Sequence, residues 1–197
     1  MKIILGDIIY PKSEGLIIPA NTIGIMNEGV GKKIIKEGWR GIEDQAKEQA
    51  RKKKYELGEC FRTGPGRLKR RGVKNIYFAI IKRLPSDLTS SYIIQKALKN
   101  SFLKVIEDRL SSVTVPGIGI DEVNIDYVLI ADIISRICIR YSKKIEIRII
   151  DDNEEFIKKV SSLLNLKYDI KLKKKRKYGN SAKPGIDFKQ SLDSNSY

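Results

Sequence analysis

The stretch "IIPANTIGIMNEGVGKKIIKEG", residues 17–38, starts as an apolar strand, passes through a glycine-containing turn and ends in a helical pattern. A strand that stops just before a helix start leaves backbone N–H groups without partners. It also aims the positive end of the helix dipole at the crevice, where phosphate is the usual occupant. Other chemistry is bounded by what the chain lacks. Histidine is absent, which removes the commonest general base, the commonest metal ligand and every Ser–His or Cys–His pair. Any catalysis must use Asp, Glu, Lys, Tyr, Ser or the backbone. Cys60 and Cys138 lie far apart in apolar stretches without a CxxC partner, so buried thiols are expected rather than a disulfide or a metal site. Neither a metal nor a cofactor is expected.

A chain of 197 residues with 41% apolar composition is long enough for one sizeable core with an appendage. Its longest apolar runs, such as "GLIIPA" and "IYFAII", are strand-length, and "MKIILGD" lacks the length and cleavage site of a signal peptide. A cytoplasmic protein without membrane contact is the expectation. The formal net charge is +15, and residues 165–197 hold nine Lys or Arg against three Asp. Such a balance favours nucleic acid, anionic ligands or acidic proteins, although Lys, Glu and Ile enrichment is also what a thermophilic proteome produces.

The elements that must position these groups alternate between strand and helix, which predicts an α/β layered fold. "KIIL" and "GLIIPA" read as strands, residues 29–37 as a short helix, and "GIEDQAKEQARKKKYE" as a solvent-facing helix. "ECFRTGPG" reads as an edge strand and "NIYFAII" as a buried one. In "TSSYIIQKALKNSFLKVIEDRL", Tyr92, Ile93, Ala97, Leu98, Phe102, Val105 and Ile106 form a helical stripe, capped by Thr89 or a following serine. "SSVTVP" is a strand entering the loop "GIGIDE", and Asn124 or Asp126 caps the next helix. "KIEIRII" is a further strand and "NEEFIKKVSSLL" a final helix with acids in its first turn. Residues 165–172 alternate with period 2 as one more edge strand would, and residues 173–197 read as a basic, flexible tail.

Three segments, "GDII", "IIPAN…GVGKKI" and "VTVPGIGID", resemble the macro domain family, where they take the forms GDIT, VNAAN followed by a glycine-rich helix start, and a strand followed by PxIGxG. They occur in the family's order and spacing, with "ECFRTGPGRL" and "NIYFAII" between them, and the resemblance covers about residues 1–164. It implies a three-layer α/β/α domain with a mixed, mostly parallel sheet, and a site for ADP-ribose or an ADP-ribosylated protein at the strand ends. Asp7, with the Ile8 N–H beside it, matches the aspartate that accepts from the adenine amine, and Asn21 matches the asparagine near the distal ribose. Gly29, Val30 and Gly31 match one phosphate loop, and Pro116, Gly117, Ile118, Gly119, Ile120 and Asp121 match the other. Taken alone, each also reads as an ordinary turn residue.

Departures from the family pattern are as informative. Ile18 stands where the first asparagine of VNAAN would be, and Gly31 where the ester-cleaving branch carries an acid, so that branch's water-activating pair is absent. Ile150 followed by Asp151 replaces the aromatic that often stacks on adenine. "IYFAIIKR" resembles the strand of terminal ADP-ribose protein glycohydrolase that ends in a nucleophilic lysine, which puts Lys82 at that position. The resemblance also implies a catalytic Asp121, two positions away by simple counting. Three function classes follow: an ADP-ribose-binding module, an ADP-ribosyl hydrolase using Lys82 with Asp121 or substrate-assisted water, and a nucleic-acid-associated protein whose cues are the charge and the "KLKKKRK" run between Tyr168 and Tyr178.

Overall fold

The computed structural model describes residues 1–10 and 12–171. Its strands are β1 (Lys2–Gly6), β2 (Gly15–Asn21), β3 (Cys60–Thr63), β4 (Asn75–Lys82), β5 (Ser112–Val115), β6 (Glu146–Asp151) and β7 (Tyr168–Lys171). Its helices are α1 (Gly29–Gly38), α2 (Gly41–Lys52), α3 (Ser91–Glu107), α4 (Tyr127–Tyr141) and α5 (Glu154–Leu164), with a 3-10 turn at Gly66–Arg71. The strands make one sheet in the order β3-β4-β2-β5-β6-β1-β7. Every pairing is parallel except that of β3 with β4. The run 173–197, read from sequence as a tail, lies outside the described residues. Among the described residues no helix is long and apolar enough to cross a membrane.

Side chains alternate across a strand, so a sheet covered on both faces needs apolar residues at nearly every central position. Leu16, Ile18, Phe78 and Ile80 face one core, where Ile34 of α1 and Ile42 and Ala46 of α2 pack on them. Their neighbours Ile17, Tyr77, Ala79 and Ile81 face the other, closed by Leu98 and Phe102 of α3, Ile130 and Ile134 of α4, and Phe156 of α5. This is the α/β layered fold expected from the alternation of elements, in the three-layer α/β/α form that the family resemblance implies. Phe61 and Phe78 stack at 4.6 Å in the first core, and Phe102 and Tyr141 at 4.9 Å in the second. Full burial of a side chain of this size contributes roughly 1.5–3 kcal/mol.

Helix starts follow local capping chemistry. Ser90 accepts from the Ile93 N–H at α3, Asp126 from Val128 at α4 and Asn153 from Phe156 at α5. α1 alone among the helices that open at strand ends has no side-chain cap and no acid in its first turn. Its free N–H groups are therefore left for another partner.

Candidate functional site

The carboxyl ends of β1, β2, β4, β5 and β6 surround a cavity of about 470 Å³. On one side β2 ends at Asn21, whose amide Nδ2 donates to the Ile25 carbonyl at 2.9 Å while its Oδ1 accepts from the Ile25 N–H at 3.1 Å. Both ends of the amide thus pin the turn that leads to α1. Behind this turn the Met26 N–H donates to buried Glu43 at 3.0 Å, with Lys47 3.2 Å from the same carboxylate. Burial alone would raise the Glu43 pKa, but these two partners outweigh it and hold the carboxyl below its usual range.

α1 then begins at Gly29, with φ +49, and the first main-chain bond of the helix runs from the Lys32 N–H to the Glu28 carbonyl. The preceding N–H groups of Gly29, Val30 and Gly31 belong to residues that line the cavity. A Cβ on Gly29 would meet nothing within 4 Å, whereas one on Gly31 would sit 3.1 Å from Met26 Cα. Position 31 is therefore tight against the chain behind it, and position 29 opens onto the cavity.

Across the cavity, the loop after β5 folds into successive tight turns, with Ile118 N–H donating to Pro116 O and Ile120 N–H to Gly117 O. Gly119 has φ +91, which strains any residue with a side chain, and a Cβ there would lie 2.4 Å from Ile94 Cδ1 and push that side chain aside. Ile118 is fully buried in the core and anchors the loop from behind. The Gly117 N–H donates to Asp151 Oδ2 at 2.9 Å, and Asp151 Oδ1 accepts from the Asn153 N–H at 2.9 Å. Asp151 thus ties the end of β6 to the loop after β5. Burial pushes its pKa up, partly offset by the two N–H donors.

Of the residues expected from sequence, Ile8, Asn21, Gly29, Val30, Gly31, Lys82, Pro116, Gly117, Gly119, Ile120, Asp121, Ile150 and Asp151 line this cavity, and Asp7 and Ile118 do not. Asp7 directly precedes the lining residue Ile8, and its carboxylate accepts from the Ile9 N–H at 3.4 Å. Ile150 is fully buried and forms part of the wall. Lys82 reaches Glu122 Oε1 at 2.8 Å and donates to the Pro85 carbonyl at 3.4 Å. The lysine is paired with Glu122 rather than with the neighbouring Asp121.

Sequence reasoning missed Glu122, Lys33 and Asp152. Lys33 pairs with Asp152 at 2.5 Å and both line the cavity. Partial burial would lower the Lys33 pKa, but Asp152, with Asp7 and Asp151 nearby, raises it. One signal was available for Lys33, which stands four residues after Gly29 and so on the same helix face. For Glu122 the only cue was its position next to Asp121. The lining side chains include Glu28, Asp121, Glu122, Asp151 and Asp152 against Lys33 and Lys82. Attraction for an anion must therefore come from backbone N–H groups and the α1 dipole rather than from side-chain charge.

The sequence model of the Macro domain family matches residues 17–134. Among curated proteins no sequence relative matches the chain. Similar solved structures include a mutant of the Oceanobacillus iheyensis macrodomain with ADPR, at TM-score 0.70 and 17% identity, covering 83% of this chain and 90% of that one. The macrodomain of Thermus aquaticus DarG matches at TM-score 0.64 and 17% identity, covering 76% of this chain and 97% of that one. Thermosipho africanus DarTG in complex with ADP-ribose matches at TM-score 0.64 and 16% identity, covering 76% of this chain and 41% of that one.

Proposed function

Because the chain belongs to the macro domain family, we propose that its strand-end cavity binds ADP-ribose, free or as the ADP-ribosyl group of a protein or metabolite. The observation that carries this reading is the uncapped start of α1 at Gly29–Gly31 lining the same cavity as the Pro116–Asp121 loop. The unbonded N–H groups at the α1 start, together with the Gly119 and Asp121 N–H groups that the loop's own bonds leave over, suit a diphosphate. The volume of about 470 Å³ falls in the range of small-molecule sites. In this reading Asp7 and the Ile8 N–H take the adenine edge, with Ile150 and Asp151 as the wall beside it. Asn21 contributes its remaining amide hydrogen to the distal ribose. The test is calorimetry with ADP-ribose, ADP and AMP side by side. Clear preference for ADP-ribose is expected, and equal affinity for all three would remove the reading.

A second reading, ADP-ribosyl hydrolysis, is favoured by the Lys82–Glu122 pair at 2.8 Å in the cavity wall. Lysine attacks an anomeric carbon only as the free amine, the bond to the departing group breaking as the C–N bond forms, so in this reading the ion pair opens and Glu122 keeps the proton before attack. Asp121 is a second acid on the same wall. Ester- and glutamate-linked ADP-ribosylated substrates, with reductive trapping of any lysine adduct, test it. Turnover lost in Lys82→Ala or Asp121→Ala with binding retained would support catalysis. Tight ADP-ribose binding without turnover on either linkage would leave binding alone.

A further inference from the structure

Far from the cavity, at the opposite end of α1, the chain holds a bulky aromatic where glycine is the usual residue. Trp39 has φ +99 and ψ 140, a region that side-chain-bearing residues rarely occupy. Burial does not explain its presence, because the residue is 52% exposed. Its ring lies flat against Gly41, where a Cβ would come within 2.1 Å of Trp39 Cζ3. The 3-10 turn docks alongside, with the Gly66 backbone so close that a Cβ there would be 2.4 Å from the Gly38 carbonyl oxygen. The indole thus rests on the Gly41 backbone, beside a close backbone contact between Gly38 and Gly66.

Trp39, Gly66, Arg67, Lys69 and Arg70 line a shallow, open hollow of about 640 Å³. All three cations are exposed, and among the described residues none of them has an ion pair. The neighbouring carboxylate, Glu37, faces Arg71 at 3.9 Å. No aliphatic side chain lines the hollow, so it offers little to a lipid surface, which takes up a continuous apolar face. An exposed indole beside several unpaired cations is the combination that stacks an unpaired base while neutralising the phosphates on either side of it.

We propose that the hollow at Trp39, Arg67, Lys69 and Arg70 is a binding site for single-stranded nucleic acid, with one base stacked on the indole and flanking phosphates held by the three cations. The α1 axis separates this site from the cavity by about 15 Å, the length of a ten-residue helix. The 3-10 turn also precedes β4, so the hollow lies at the sheet end opposite the cavity. It stands whether or not the cavity binds ADP-ribose.

Trp39 is the only tryptophan of the chain, so its emission reports this hollow and not the basic C-terminal run. Titrating the full chain with an unstructured oligonucleotide should quench that emission saturably, and the same sequence as a duplex should quench it less. Trp39→Gly suits the backbone at φ +99, so its melting temperature should hold or rise. Its affinity for a labelled oligonucleotide, read by anisotropy, should fall about tenfold. Replacing Arg67, Lys69 and Arg70 together with alanine should flatten the salt dependence of log K by up to about 2 units, at roughly 0.7 per phosphate released. Oligonucleotide binding without quenching, or unchanged in a folded Trp39→Gly chain, would overturn the proposal. Quenching by anionic vesicles but not by the oligonucleotide would overturn it as well.

Discussion

Replacing Asp7 with alanine removes the carboxylate expected to accept from the adenine amine. ADP-ribose affinity should fall by about 1–3 kcal/mol, the range for a hydrogen bond to a charged group, and unchanged affinity in calorimetry would mean adenine is not read there. Asp151 plays a different part, since both its oxygens accept backbone N–H groups. Its folded pKa lies above the usual 3.8 because it is buried, so the folded state holds the proton more tightly than the unfolded state. The stability linked to that protonation is full below the unfolded pKa and is lost as pH rises through the folded one. Against Asp151→Asn, the wild type should therefore gain in melting temperature as pH falls through the carboxylate range. A difference independent of pH would show that Asp151 acts only through its hydrogen bonds.

At the scale of elements, the start of α1 and the loop after β5 meet on one cavity because β2 and β5 are neighbours in a parallel sheet. Gly29→Glu puts a like charge where phosphate would sit, with open space for its Cβ. It should abolish ADP-ribose binding and cost about 1–2 kcal/mol of stability for the positive φ. Gly72→Glu is the matched control, with φ +89 and equally open space at the end of the 3-10 turn. It should lose similar stability and keep ligand affinity. If the two variants bind alike, the α1 start is a turn and nothing more.

Across the whole molecule, both cores are built from residues 3–160. A chain ending at residue 172 should melt as cooperatively as the full chain and bind ADP-ribose with nearly the same affinity. Nucleic-acid binding by the truncated chain should show a flatter salt dependence, since a dense positive run has been removed. A parallel fall in ADP-ribose affinity would make residues 173–197 part of the cavity site.

The layered fold was legible from the sequence because burial on both faces of a sheet forces continuous apolar runs such as "IYFAII", and because Ser90, Asp126 and Asn153 mark helix starts by local chemistry. The glycine turn at positions 29–31 was legible between a strand and a helix pattern, and that at 117–119 through the family resemblance, because turn-forming glycines are a local signal. Partners distant in sequence were not. Lys82 pairs with Glu122 across 40 positions and Lys33 with Asp152 across 119, and only the order β4-β2-β5-β6 brings those ends together. Asn21 has a suitable amide for a ribose, but only the folded turn shows that Ile25 already takes both its ends. Trp39 carried no signal at all as a lone aromatic between two helices. Its exposure, its backbone conformation and its cationic neighbours arise only when α1, α2 and the 3-10 turn pack together, because contact between segments far apart in the chain is decided by the closing of the cores and not by local preference.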